Sequence, residues 1–147
     1  MSATVRAAGA ADAAGIAALY AELGYSLSPG DVAERMAGPA GGGRSAALVA
    51  ERDGSVVGLL TLHMVPVLHE PGDWCRITSL VVHPAARRSG VARALVTQAE
   101  SRARAAGCAR IEVTSALHRD GAHDFYRSQG YGRVSEHFLK RLRKPAA

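Results

Sequence analysis

The sequence predicts an α/β fold in which one mixed, mostly antiparallel central sheet is flanked by helices, in the order β-α-α-β-β-β-α-β-α-β. Three observations carry this expectation. The pair Asp53-Gly54 separates two apolar runs and marks a β-hairpin. A β-branched run ending at Val82 passes through a basic glycine turn into a segment with apolar residues at Val91, Leu95, Ala99 and Ala103, one face of a helix. A short strand then follows, so this strand–helix–strand unit is expected to be a right-handed crossover between parallel strands.

The elements are justified in order along the chain. Thr4 to Ala8 reads as a first strand, and Asp12 is placed to cap a helix running through Ile16, Leu19 and Tyr20 to about Gly24. Ser28-Pro29-Gly30-Asp31 combines a capping hydroxyl, a proline at the first helical position and an early acid, which starts a second helix carrying Val32 and Met36 inward. Pro39 to Gly43 is a flexible loop. Ala46 to Glu51 and Val56 to Val65 form the hairpin, and Trp74 to Val82 is the next strand, broken by His83-Pro84. The long helix from Val91 ends at Gly107. Ile111 to Ser115 is a strand, Ala122 to Ser128 a short helix, Gly130-Tyr131-Gly132 a turn and Val134 to Leu142 a last strand.

Composition bounds the function. The 147 residues fit one domain, 1–147, with a sizeable core. Cys75 and Cys108 stand far apart and in no metal-binding spacing, so neither a disulfide nor a metal site is expected, and a reducing cytoplasm is the default. The N-terminus lacks the charged-then-apolar order of a signal peptide, and no apolar run approaches a membrane span. A net charge of +5 points to an anionic ligand. One Trp, four Tyr and two Phe, not interleaved with basic residues, make a poor platform for single-stranded nucleic acid.

The feature richest in chemistry is Arg87-Arg88-Ser89-Gly90-Val91-Ala92, between the strand ending at Val82 and the long helix. Glycine lets the backbone turn and approach a ligand closely. The helix start presents N–H groups without intrahelical partners, and with the helix dipole these favour phosphate oxygens. Two arginines add permanent charge. An exposed basic loop is the competing reading of this turn taken alone. Its place at the carboxyl end of a strand is where open α/β sheets bind ligands.

Arg87-x-x-Gly90-x-Ala92 after Leu80-Val81-Val82, followed by Ala122-His123-Asp124-Phe125-Tyr126-Arg127-Ser128-Gln129-Gly130-Tyr131, resembles the two signatures of the GCN5-related N-acetyltransferase (GNAT) superfamily. Two motifs in the right order are far more specific than either alone. The resemblance implies acetyl-CoA as cosubstrate. Its pyrophosphate would lie on backbone N–H groups from Arg88 through Ser89, Gly90, Val91 and Ala92 to Arg93. Its pantetheine arm would pair like an added strand with Leu80, Val81 and Val82, which splay from a parallel neighbour at Ser115. Ala92 would be small so that the helix lies close to the phosphates.

The implied reaction is direct attack of an amine on the acetyl thioester. The amine must first lose its proton, and the departing thiolate must gain one. The resemblance assigns the second task to Tyr126, since a phenol with an unperturbed pKa near ~10 is protonated at neutral pH; as residue types alone, Phe125-Tyr126 would read as core aromatics. Many relatives carry a carboxylate base on the strand before the Val-rich segment, and Cys75-Arg76-Ile77-Thr78-Ser79 has none. The candidates are His63, His69, Glu70, Asp73 and His123, of which His63 is preferred because histidine titrates near neutrality and its strand lines the acceptor cleft in the family. A hydrogen-bonded strand histidine is the other reading of His63.

From about Leu59 onward, Leu62-His63, Trp74, Ser79 to Val82, Arg119, Ala122 to Tyr126 and Phe138-Leu139-Lys140 are also similar to aminoalkylphosphonate N-acetyltransferases, except that Ser79 replaces a glutamate. The expected acceptor is a primary amine on a small molecule. A protein or peptide amine and a non-catalytic acyl-CoA sensor on the same fold are the alternatives; retention of Tyr126 argues against the sensor. A nucleic-acid partner is disfavoured because Arg87 and Arg88 belong to the cofactor motif. Val134 to Leu142 offers an edge through which a homodimer would form, although Lys140 to Lys144 would equally blunt it.

Overall fold

The computed structural model describes residues 3–114, 120–135 and 137–143, and the chain divides into two compact units, Met1–Val113 and Thr114–Ala147. The first holds β1 (Thr4–Ala7), α1 (Ala13–Glu22), α2 (Pro29–Ala37), β2 (Ser45–Arg52), β3 (Ser55–Val65), β4 (Trp74–Val82), α3 (Val91–Ala105) and β5 (Arg110–Val113). The second holds α4 (Asp120–Ser128). The strands lie in the order β1-β2-β3-β4-β5, antiparallel at every pairing except the parallel β4–β5. The sheet is therefore mixed and mostly antiparallel, with β4-α3-β5 as the crossover.

Local chemistry explains the element boundaries. Ser28 Oγ accepts from the Asp31 amide at 3.0 Å and the Asp31 carboxylate accepts from the Ser28 amide at 2.9 Å, so α2 begins with a reciprocal cap. Asp12 behaves otherwise than expected, because its side chain makes no capping bond to α1. Its carboxylate accepts from Arg6 at 2.8 and 2.9 Å and from the Gly9 amide at 2.7 Å, while Arg6 also reaches Glu51 at 2.8 Å. A bidentate arginine–carboxylate pair outweighs a single carboxylate bond to a helix amide. The carboxylate thus closes a 3-10 turn, Ala10–Asp12, and ties β1 and β2 to the start of α1.

The hairpin turn has Asp53 at φ 50° and Gly54 at φ 79°, the paired left-handed conformations of a type I′ turn. Two β-bulges interrupt the ladders. Between Ala50 and Glu51 the β2–β3 register shifts, leaving Val57 as an extra residue whose carbonyl accepts from the His83 amide at 2.8 Å. In β3–β4, Thr61 faces Ser79 while Leu62 faces Ile77, so Thr78 is the extra residue.

Helices cover both sheet faces. Ile16, Leu19 and Val32 of α1 and α2 pack with Val49, Leu59 and Val81. Successive strand residues face opposite sides, and Gly58 accordingly faces α3. A Cβ added there would lie 2.8 Å from Val91 Cγ1 and 3.0 Å from Leu95 Cδ1. The first turn of α3 is thereby pressed onto β3.

The closing strand expected over Val134 to Leu142 is not formed among the described residues: 134–135 and 137–143 have no regular pairing, and Val134, Phe138, Leu139 and Leu142 are exposed. The reason lies in the pattern. Val134, Phe138 and Leu142 would share one strand face, but Glu136 and Lys140 fall between them on it, so the run offers no continuous apolar face to bury.

Gly58→Ala is expected to cost about 1–3 kcal/mol through overpacking against Val91 and Leu95. A lower denaturant midpoint at unchanged slope would show it, whereas wild-type stability would mean that α3 is not seated on this glycine.

Candidate functional site

The carboxyl end of β4 feeds a short 3-10 turn, Pro84–Ala86, capped by His83 Nδ1, which accepts from the Ala85 amide at 3.1 Å. The chain then turns sharply: Arg88 has φ 61° and Gly90 φ 85°, both left-handed. Gly90 is the N-cap of α3 and supplies no side-chain acceptor, and the first turn of the helix holds no acid. The opening amides of α3 are therefore free of internal side-chain acceptors, and a left-handed residue followed by helical ones aims them to one side. Arg87, Arg88 and Arg93 are exposed around them. Ser89 Oγ donates to the Ala86 carbonyl and accepts from Arg52 at 3.0 Å. Arg52, at the end of β2, is a contributor that sequence reading missed, because only the fold of the hairpin brings it to the turn.

Beside the turn, β4 offers a backbone edge. Its ladder with β5 runs from Trp74 to Ile77, the last pair being Ile77–Val113, while on β3 it stays paired to Val82 opposite Gly58. From Thr78 to Val82 the β5 side thus has no ladder partner among the described residues. Leu80 and Val82 are half-buried and Val81 is buried in the core. The turn, with Ser89, Gly90, Val91, Ala92 and Arg93, and the edge, with Leu80, Val81 and Val82, form one continuous surface suited to a ligand with a phosphorylated head and an amide-bearing tail. Ser115 and Arg119 lie outside the described residues.

The sheet face toward α1 carries a second cluster. His63 Nδ1 lies 2.7 Å from Ser45 Oγ and His63 Nε2 lies 2.9 Å from Thr78 Oγ1, which in turn lies 2.8 Å from Thr61 Oγ1. Burial pushes the His63 pKa below the ordinary histidine value, so the ring is neutral at neutral pH. Next to it, the Tyr20 hydroxyl of α1 meets Ser79 Oγ at 2.9 Å. Ser45, Thr61, Thr78 and Tyr20 were not singled out by sequence, since lone hydroxyls carry no motif.

The other base candidates are engaged elsewhere. Glu70 accepts from the Trp74 indole N–H and from Arg110 at 3.1 Å, and these contacts, the indole foremost, hold its pKa low. Arg110 also stacks over the Trp74 ring at 3.8 Å, with His69 edge-on to the same ring at 5.2 Å. Asp73 is ion-paired with Arg44. Glu70, Trp74, Arg110 and His69 thus brace the β3–β4 loop against β5.

In the second unit, Tyr126 is half-buried on α4, with its ring 5.5 Å from Phe125 and 6.0 Å from Tyr131. The helix ends in a Schellman motif: the Tyr131 amide donates to the Tyr126 carbonyl at 2.9 Å and the Gly130 amide to Arg127 at 3.0 Å, with Gly130 at φ 90°. This accounts for the Gly-Tyr that closes the motif, because glycine reverses the chain and Tyr131 folds back beside Tyr126. His123 is half-buried on the same helix.

Gly90→Ala is expected to cost about 1–2 kcal/mol from left-handed backbone strain, because an added Cβ would meet no atom within 4 Å. Thermal unfolding measures it; an unchanged midpoint would mean that the turn is not held left-handed.

Comparison with known proteins identifies the family. Residues 14–131, well over half of the chain, match the model of the "Acetyltransferase (GNAT) family". The chain is 37% identical over 94 residues to the aminoalkylphosphonate N-acetyltransferase of Salmonella typhimurium, a match spanning 64% of this chain and 61% of that protein. Among solved structures, a putative acetyltransferase from Agrobacterium tumefaciens superposes with a TM-score of 0.85 at 27% identity, over 95% of this chain and 99% of that one. A transcriptional regulator from Bacillus halodurans superposes with a TM-score of 0.88 at 23% identity over the same shares, a likeness of fold alone. A family match of this extent means that the chain belongs to the acetyltransferase (GNAT) family.

Proposed function

We propose that this protein is an acetyl-CoA-dependent N-acetyltransferase that moves an acetyl group to a primary amine of a small molecule, the two units acting as one domain over 1–147. The observation that carries the reading is the left-handed Gly90 turn opening α3 beside the unladdered edge of β4. Opening amides without side-chain acceptors, exposed arginines with no ion pair among the described residues and a small Ala92 suit a diphosphate; the Thr78 to Val82 edge suits the amides of a pantetheine arm. The family match runs across both units, from residue 14 to 131, which supports the single domain. The thiols of Cys75 and Cys108 are free, in keeping with a cytoplasmic enzyme.

Bound acetyl-CoA supplies an activated acetyl thioester. His63, neutral at neutral pH, takes the proton of the acceptor ammonium and so exposes its lone pair. Tyr126 holds on its phenol the proton that the leaving sulfur requires. The β4 edge orients the donor, and the face bearing Tyr20, Thr61 and Ser79 orients the acceptor. The similarity to an aminoalkylphosphonate N-acetyltransferase supports a small, compact amine, while Ser79, bonded to Tyr20, offers no carboxylate at the position before Leu80-Val81-Val82.

Free-thiol release from acetyl-CoA, measured with aminoalkylphosphonates, diamines, an aminoglycoside and a lysine peptide, tests the reading. Turnover of at least one small amine, with Tyr126→Phe lowering kcat about 100-fold at unchanged donor affinity, is the expected result. Tight acetyl-CoA binding without transfer to any amine would instead establish a sensor, and peptide-only turnover a protein acetyltransferase.

A further inference from the structure

We infer that Thr78 is a proton-relay residue of this enzyme: its hydroxyl receives the proton of the acceptor ammonium while its own proton passes to His63 Nε2. The inference deepens the reading of His63 as base and rests on it.

The β-bulge is the first support. In an unbroken ladder Thr78, one residue from Ser79, would face away from Thr61. The bulge turns it to the Thr61 side, where its Oγ1 lies 2.8 Å from Thr61 Oγ1 and 2.9 Å from His63 Nε2, while Ser79 still meets Tyr20 at 2.9 Å. One inserted residue therefore places a hydroxyl between the imidazole and solvent.

Access is the second. The His63 ring is half-buried and both its nitrogens are taken by hydroxyls, Ser45 at 2.7 Å and Thr78 at 2.9 Å, whereas Thr78 is exposed. A proton arriving from the cleft meets Thr78 first. Position is the third. With the diphosphate on the Gly90 turn, a pantetheine arm running back along β4 from Val82 brings its thioester end toward the bulge, so amine and relay meet where attack occurs.

The step balances. The relay uses the tautomer in which Nδ1–H donates to Ser45 and Nε2 accepts from the Thr78 hydroxyl, which turns to the ring from its long 3.5 Å contact with the Thr61 carbonyl and keeps a lone pair on Oγ1 for the acceptor. As an ammonium N–H bond breaks, an O–H bond forms on Thr78; as the original Thr78 O–H bond breaks, an N–H bond forms on Nε2. Neutral amine and imidazolium result, with one positive charge before and after. The groups around the ring are set for this exchange. Arg76, opposite His63 in the ladder, is bound to Glu112 at 2.7 Å, Arg44 is bound to Asp73, and Tyr20 to Ser79. With hydroxyls on both nitrogens, no carboxylate among the described residues bonds the ring to trap the imidazolium.

The test is the pH dependence of kcat/KM for wild type, Thr78→Val, Thr78→Ser and His63→Ala, using acetyl-CoA and whichever of aminomethylphosphonate, putrescine and kanamycin is turned over fastest. Thr78→Val is expected to lose about 100-fold near neutral pH and to recover as pH approaches the acceptor's own pKa, where free amine needs no relay. Thr78→Ser should stay within about threefold of wild type, as a retained hydroxyl requires. A packing role would produce neither the recovery with pH nor the rescue by serine. Full activity of Thr78→Val beside an impaired His63→Ala, or a Thr78→Val loss that neither pH nor serine restores, overturns the relay alone. Full activity of His63→Ala, or no turnover of any acceptor by wild type, overturns the base reading and the relay with it.

Discussion

The seat of α3 on Gly58 is the contact from which the site's geometry follows. A glycine in mid-strand forfeits side-chain packing, and here it removes the atom that would strike Val91 Cγ1 at 2.8 Å and Leu95 Cδ1 at 3.0 Å. Val91 is the first residue of α3, immediately after the left-handed Gly90. Gly58 is also the ladder partner of Val82, the last residue of β4. One backbone position thus fixes the end of the strand, the start of the helix and the turn between them. The positive end of the helix dipole is held where the free strand edge ends, and a donor that engages one meets the other.

The acceptor side is organised by the two irregularities in the sheet. The shift at Ala50/Glu51 brings Ser45 opposite His63; the extra residue Thr78 completes the hydroxyl–imidazole–hydroxyl chain. A regular sheet with the same sequence would scatter these groups over both faces. The partners of the His63 ring are neutral hydroxyls, so its proton affinity is set by desolvation rather than by a charged neighbour, and the proposed base role inherits that property. Its activity should therefore fall as pH drops through a pKa lower than that of an ordinary histidine.

Much of this was legible in the residues. The Asp-Gly turn, the Ser28 capping box, the 3.6-residue period of α3 and the glycine stops carry their structure locally, and each element forms where its pattern lies. The glycine turn and the Phe-Tyr segment were legible as a family signature, with left-handed glycines at Gly90 and Gly130. What was not legible depended on bulges and long-range pairing. A ladder counted from Asp53-Gly54 without a bulge would set Ser45 against Leu62, and no local signal marks Val57 or Thr78 as the extra residue. Arg52 reaches Ser89 only because the hairpin folds back over the turn. The last strand does not follow from its residues, because Glu136 and Lys140 interrupt the face that Val134, Phe138 and Leu142 would share.

The central claim is that the opening amides of α3 and the free edge of β4 hold the donor. Backbone amide NMR during titration with coenzyme A tests it most directly. The account predicts saturable shifts of the Ser89 to Arg93 and Leu80 to Val82 amides, matched by movement of the ligand's diphosphate phosphorus signals. Saturable binding that leaves those amides unmoved would contradict it.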